Sequence, residues 1–350
     1  MQFQLHPEIK KLFPQEASVF SFAHQNSNLK MDFAAFEEWI SQGAQAQMSF
    51  LEKNFEARKN PSFILENVST AIVFLFPYSH GNKVRARLGN INNKNSNINK
   101  NSLITKKLIS KYVYGKDYHK TLKAKLNFYA SKLKELLKED FDYRPVVDSI
   151  PFFDRAHARE AGLGFVGKNT MLIRPGMGSF FFIATLLTSL PIEKLATKIL
   201  KKNPLANLDC GTCTKCLDAC PTGALEKNYF LNANKCLSYL SIEHRDIVDP
   251  QYIPYFKDTL YGCDICQDVC PYNAVTLDSH MISEFAEYHA PFTLISAEQI
   301  ATMTQKQYEL WFGGTAATRA KYEGLVRNAL YHLYSVGHEK IGEICEKLLG

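Results

Sequence analysis

The 350-residue sequence has no apolar run approaching the roughly 18 residues that would span a bilayer. Its longest, around residues 180–187, is only strand-sized. The opening residues, Met1 to Pro7, lack the basic start and apolar core of a secretory signal. Both absences argue against a membrane or exported protein and set the expectation of a cytoplasmic one, where disulfides are rare. Acidic residues are nearly missing from one stretch: between Lys83 and Lys134 fourteen Lys or Arg side chains stand against Asp117 alone, although the net charge of the chain is only +6. That stretch is either a solvated helix face with a basic loop or a surface for a polyanion, and charge does not choose between them. A regular strand–helix–strand beat is missing too, so an α+β class is expected rather than a doubly wound sheet.

What is present sorts into recognisable segments. Phe33, Phe36, Ile40, Met48, Leu51 and Phe55 recur at helical spacing, which predicts helix from about Asp32 to Arg58. Residues 71–76, ended by Pro77, read as a buried strand. Residues 90–102 are an Asn/Lys/Ser tract with little to bury, read as a loop insertion. Leu122, Leu126, Tyr129, Leu133, Leu136 and Leu137 form one stripe of a helix over His119–Glu139. An extended segment, Arg144 to Ser149, precedes a helix with Asp154 as its N-cap and Gly162 or Gly164 at its end. Two strands around a Pro175-Gly176 turn follow, at 170–173 and 179–187, and residues 297–349 are helical in pattern, carrying Cys345 as a core residue.

Eight of the nine cysteines fall between Cys210 and Cys270. Cys210-x₂-Cys213-x₂-Cys216-x₃-Cys220-Pro221 is the full bacterial ferredoxin run, closing proline included. A shortened version follows, Cys263-x₂-Cys266-x₃-Cys270-Pro271. In this motif the cysteine before proline ligates the other cluster. The first [4Fe–4S] cluster therefore takes Cys210, Cys213, Cys216 and Cys270. The second takes Cys220, Cys263 and Cys266, and is one ligand short; Cys236 is the remaining cysteine nearby. Tetrahedral zinc is the competing reading of paired cysteines, but zinc sites rarely carry a 2-2-3 spacing closed by proline.

With the cysteines in place, other segments acquire meaning. Gly115-Lys116-Asp117-Tyr118-His119, Arg144 to Ser149, Ala161 to Asn169, Ser179 to Phe182, Cys236 to Glu243 and Tyr261 to Gln267 stand in the order found in one family. From about residue 10 to 330 the chain resembles the epoxyqueuosine reductases, iron–sulfur and cobalamin enzymes that complete queuosine in the anticodon loop of transfer RNA. The resemblance implies a cobalamin-binding catalytic domain over 1–200, with a fold like those of cobalamin-processing and reductive-dehalogenase proteins. It further implies a ferredoxin-like domain over 201–290 and a short, HEAT-like helical tail over 291–350 able to touch the RNA. The implied reaction is a two-electron, two-proton removal of the epoxide oxygen as water, served by an external low-potential donor and carried out by a monomer.

Site residues follow by position. Asp148 matches the proton donor, for which burial beside the corrin would raise the pKa; a turn-capping aspartate is the bland alternative. Lys168 and Asn169, after three glycines, match corrin contacts, against the alternative of a helix C-cap and turn. Arg58, Tyr118, Ser238 and Tyr239 are further cobalamin candidates, while a lone histidine such as His119 is more often a satisfied side chain than a cobalt ligand. In the tail, Arg319, Lys321, Arg327 and Asn328, with Tyr322 for base stacking, are candidates for RNA contact, although ordinary solvated helices look the same. Two rivals remain: a small-molecule reductase of the dehalogenase type, and a plain electron carrier, for which a roughly 200-residue N-terminal region is far too large.

Overall fold

The computed structural model describes residues 2–22, 27–78, 108–200, 205, 208–274, 281–286 and 295–349. The Asn-rich stretch at 90–105 lies outside them. Six strands form one sheet in the order β4-β7-β3-β2-β1-β8. They are β1 (Gln2–Leu5), β2 (Glu16–Ser21), β3 (Thr70–Pro77), β4 (Tyr143–Val146), β7 (Phe181–Thr188) and β8 (Ala196–Leu200). Every pairing in it is antiparallel, in keeping with the α+β expectation. A two-stranded ribbon, β5 (Phe165–Val166) with β6 (Leu172–Ile173), sits apart.

β3 shows why the sheet is central. All eight of its residues are buried, as a strand covered on both faces requires. Side chains alternate across a pleated strand, and here Ile72, Phe74 and Phe76 join one core while Ala71, Val73 and Leu75 join another. The first core is closed by a helix at Tyr118–Leu137, which presents Leu122, Leu126, Tyr129 and Leu133. Leu136, expected on that stripe, is exposed. The second core is closed by the helix Asp154–Glu160 and the residues after it, through Ala158, Ala161 and Leu163. Arg159 of that helix makes a two-point ion pair with Asp32, at 3.1 and 2.7 Å, and so fastens it to the helix Ser27–Ser41.

The single helix read over Asp32–Arg58 is not one helix. It stops at Ser41, and Gly43 (φ 65°) and Ala46 (φ 56°) turn the chain through the left-handed region before short helices at Phe50–Lys53 and Phe55–Lys59. Asp154 also differs from its reading: Phe153 holds the N-cap position, and Asp154 lies inside the first turn.

The second half packs on the first through specific ties. Residues 108–114 leave the first half to join a core with the C-terminal helices, where Leu325, Ala329 and Leu333 of the helix Lys321–Ser335 are buried. Trp39 donates to the Leu231 carbonyl at 2.7 Å. Ser179, just before β7, accepts and donates within a buried network containing Gln267 and Asn273. Gly178 makes this fit possible: at φ 81° any Cβ would stand 1.9 Å from Asn273 Oδ1. Gly178→Ala is expected to cost about 2–4 kcal/mol, read as a lowered denaturant midpoint. A shift within the error of wild type would show that Asn273 can move aside.

Candidate active site and cluster cradle

β4 ends at Val146, and the chain then makes a three-residue turn in which the Ser149 N–H donates to the Val147 carbonyl. Asp148 is the middle residue, at φ 48°. Positive φ is costly for a residue with a Cβ, although Asp tolerates it better than most. The turn points the carboxylate into a cleft: its side chain is 67% accessible, yet protein surrounds it on most sides. That combination belongs to the floor of a concavity, not to a convex surface.

The Tyr118–Leu137 helix brings the partners. Asp117 caps it, accepting from the His119 N–H at 3.0 Å. The Tyr118 hydroxyl donates to Asp148 Oδ2, and its ring stacks on Phe182 at 4.2 Å and on His119 at 4.0 Å. His119 lies between two carboxylates, 2.9 Å from Asp117 and 3.7 Å from Asp148. It is thus a side chain satisfied by acids, and they raise its pKa against the opposing effect of burial. Burial pushes the Asp148 carboxyl up, but the bonds from His119 and Tyr118 outweigh it and hold the group below its ordinary value. The chain's own groups thus hold Asp148 low, and the rise expected for it depends on burial beside the corrin.

The raised carboxyl is a neighbour. Burial, reinforced by the charge of Asp148, lifts Asp154 to about 8. Its Oδ1 is buried with no hydrogen-bond partner, and so is Nε of Arg58. Arg155, beside it, donates to the Thr170 carbonyl and feels both Asp148 and Asp154. Neither Asp154 nor Arg155 was singled out for chemistry from the sequence. The available signal was the charged pair Asp154-Arg155 opening a helix, blunted because Arg159 and Glu160 close the same helix with another. A line of tyrosines leads away from the cleft. Tyr118 meets Tyr112 edge-on at 6.3 Å, and Tyr112 donates to Tyr261 at 3.1 Å. Tyr261 in turn donates to the Ala316 carbonyl at 2.8 Å.

The cysteines divide into two sets. Cys210, Cys213, Cys216 and Cys270 line one pocket, together with Asn169, Ile173 and Tyr272. Cys236 has Cys220 as its electrostatic neighbour, while Cys263 is influenced by both. Cys266 interacts with Cys263 and Cys236, and with Cys216 of the other set. Burial pushes the Cys263 thiol up to about 12 and the Cys266 thiol well up as well. Bare protons thus stay on these sulfurs; a bound cation is what would release them. Cys236 opens the helix Leu237–Ile242, where the backbone N–H groups of Ser238 and Tyr239 face its sulfur. Among the described residues no three of His, Cys, Asp and Glu converge closely enough to hold one metal ion.

Lys168 and Asn169, expected to touch the corrin, make their hydrogen bonds within this cradle. Lys168 Nζ donates to the carbonyls of Gly211 and Cys213 at 2.7 and 3.0 Å, and its N–H points to Cys210 Sγ at 3.4 Å. Asn169 donates to the Cys266 carbonyl at 3.3 Å. From the glycine-rich turn Lys168 braces the first cysteine-bearing loop, and Asn169 ties the turn to the second. Lys168→Met should leave two carbonyls unpaired, at about 1–3 kcal/mol, and should hasten loss of the first cluster to a chelator. An unchanged rate of iron loss would show that the brace is dispensable.

Of the remaining candidates, Tyr239 accepts from the Gln47 N–H at 3.1 Å and is buried, and Ser238 is half-buried beside it. In the tail, Arg319 pairs with Glu243 at 2.7 and 2.8 Å and lies over the Phe50 ring. Arg327 spends its guanidinium on the carbonyls of Leu240, His244 and Asp246, so it serves packing and not an external phosphate. Asn328 is fully buried, donating to Ser241 and Leu260 carbonyls. Tyr322 donates to the Met303 carbonyl. Lys321 is exposed. Cys345 is half-buried. No helix among the described residues is long and apolar enough to cross a membrane.

Several known proteins resemble this chain. The family described as "4Fe-4S double cluster binding domain" matches residues 209–273. The family described as "Epoxyqueuosine reductase QueG, DUF1730" matches residues 58–149. The epoxyqueuosine reductase of Cyclobacterium marinum is 33% identical, over 86% of this chain and 87% of its own. The solved structure of epoxyqueuosine reductase from Streptococcus thermophilus superposes with a TM-score of 0.77 at 27% identity, covering 97% of this chain and 82% of that one. A further epoxyqueuosine reductase, crystallised with an epoxyqueuosine-modified stem loop of a tyrosine transfer RNA, gives 0.74 at 26% identity, with coverage of 94% and 79%.

Proposed function

The chain belongs to the epoxyqueuosine reductase family, and from that premise we propose that it removes the epoxide oxygen of epoxyqueuosine in a transfer RNA anticodon loop. One epoxide, two electrons and two protons give one alkene and one water. The observation that carries the reading is Asp148, a carboxylate on a strained turn at the floor of a cleft, bonded by Tyr118 and faced by His119.

The cysteine block holds two [4Fe–4S] clusters, which supply electrons at low potential. We assign Cys210, Cys213, Cys216 and Cys270 to one, and Cys220, Cys236, Cys263 and Cys266 to the other. An external low-potential donor would reduce them, with the enzyme acting as a monomer. For the group that meets the substrate we assign cobalamin. The fit rests on Arg58 and Asp154, which leave a buried donor and a buried acceptor without protein partners in the cleft; the amide side chains of a corrin can satisfy both. Arg58, Tyr118 and Asp148 would hold it on the sheet side, and Ser238 and Tyr239 on the cluster side. Once bound it would pass electrons to carbon or oxygen.

The chain's own groups handle orientation and protons. The Tyr118 hydroxyl fixes the Asp148 carboxyl, and Asp117 fixes His119. A protonated Asp148 then delivers its proton to the departing oxygen. Filling the cleft removes water from Asp148 and strengthens the desolvation that already pushes its pKa up. For the RNA we keep Arg319 and Lys321 at the surface. The division into residues 1–200, 201–290 and 291–350, with a HEAT-like tail, is part of the same proposal, although residues 108–114 contribute to the tail's core. The deciding experiment is anaerobic: cobalamin, a strong reductant and epoxyqueuosine-containing transfer RNA, with nucleosides weighed afterwards. Loss of one oxygen is expected. No loss, with both clusters intact, rejects the reading.

A further inference from the structure

We propose that Lys111 is a positioning residue for electron delivery, whose buried ammonium sets the reduction potential of the second cluster from outside the cysteine block. This rests on the assignment of Cys220, Cys236, Cys263 and Cys266 to that cluster, and not on the identity of the substrate.

Backbone contacts place this lysine. Residues 108–110 lie along residues 260–262: the Leu108 carbonyl accepts from the Leu260 N–H at 2.6 Å, and the Ser110 N–H donates to the Tyr261 carbonyl at 2.8 Å. Gly262, at φ 68°, lets the two segments close up, since a Cβ there would stand 2.3 Å from Ser110 Oγ. Lys111 is thereby set against the start of the second cysteine run. Its N–H donates to Asp264 Oδ2 at 2.9 Å, and its ammonium pairs with Asp268. The two side chains of that pair are only 11% and 17% accessible. The buried Phe180 ring covers the ammonium from another side, with its centroid 3.9 Å from Nζ.

Both acids belong to the loop that carries the ligands. Asp264 follows Cys263, and Asp268 stands two residues after Cys266 and two before Cys270. The charge of Asp264 reaches the sulfurs of Cys263 and Cys266. A cube held by four thiolates is negative before it is reduced, and each electron it accepts from the first cluster makes it more so. Net charge is one of the properties that fix the potential of such a cluster. The covered cation therefore favours the reduced form, and the acids oppose it. Removing one member of a buried pair leaves the other uncompensated, and the cluster feels the charge that remains. A buried unit charge within about 10 Å changes a one-electron equilibrium by about tenfold or more, which corresponds to about 59 mV.

The rival role for the pair is a staple between residues 108–114 and the cysteine run, and the sign of a potential shift separates the two. A redox titration of the cluster-loaded protein, followed by electron paramagnetic resonance, reads both potentials without cobalamin or RNA. A failure of the epoxide reading therefore leaves the result untouched. The step missing from Cys236→Ala belongs to the second cluster; a Cys236→Ala that keeps both steps overturns the cluster assignment instead. Asp268→Asn, which leaves Lys111 unpaired, should raise the second potential, with the reduced-to-oxidised ratio up about tenfold. Lys111→Met, which leaves Asp268 unpaired, should lower it by a comparable factor, and the double variant should fall between them. Shifts of one sign in both single variants, or no shift in either, make the pair a staple and overturn the proposal. Should Lys111→Met fail to retain iron, Asp268→Asn decides alone: a raised potential supports the proposal, and an unchanged or lowered one overturns it.

Discussion

Asp148→Asn is expected to lower turnover by about 10²- to 10⁴-fold, the usual contribution of a positioned acid, while leaving both clusters and corrinoid binding in place. Asparagine is the informative replacement because it keeps everything except the proton. Its amide oxygen still accepts from the Tyr118 hydroxyl, as Oδ2 does now. It also tolerates the φ of 48° at this position, since Asn and Asp are the residues most often found there after glycine. Alanine would confound a chemical loss with a backbone one. Three measurements separate the roles: iron content, absorbance of bound corrinoid, and the mass of the nucleoside product. A variant that binds both cofactors and still removes oxygen near the wild-type rate would make Asp148 a structural turn residue.

The second large effect concerns the ligand that the ferredoxin spacing omits. Cys236→Ala is expected to leave about four irons where wild type holds about eight, and to abolish turnover because the electron path is cut. Cys236 lies between the two cysteine runs in sequence, nearer the first, and its assignment to the second set rests on its neighbours in the fold. The helix it opens is buried through Leu237, Tyr239 and Leu240, which fixes its sulfur near Cys220 and Cys263. Burial raises the pKa of this thiol, and the two N–H groups at the helix start work in the opposite direction. Eight irons in the variant would reject the assignment and leave that cluster with a ligand from elsewhere.

These two cases also show what a sequence can disclose. The cysteines were legible because a cluster draws most of its ligands from adjacent positions, so spacing records geometry. Asp148 was legible only through its resemblance to a known motif. Asp154 and Arg155 carried no chemical assignment, and Arg58 entered only with the resemblance, because the cleft collects single residues from separate segments and no periodicity links them. The bonds of Lys168 were not legible for a related reason: glycine-rich turns suit close approach to any partner, and one partner here is the Gly211–Cys213 backbone. The break after Ser41 escaped notice because Ala44, Gln45, Ala46 and Gln47 are all good helix formers. Tertiary contacts override that preference: the Ala44 carbonyl accepts from the Ala233 N–H, and the Gln47 N–H donates to Tyr239.

The pairing of β1 with β8 joins Gln2 to Leu200, and this bears on the order of assembly. A sheet edge closed by so distant a partner forms late, since the entropy of a long loop must be overcome before its contacts repay it. During synthesis the edge must wait until residue 200 has emerged, and Cys210 follows within ten residues. The strands that carry Lys168 and Asn169 to the cradle precede both. The nascent chain can therefore present its glycine-rich turn before the first thiols arrive, but neither cluster has its full ligand set until Cys263 to Cys270 has followed.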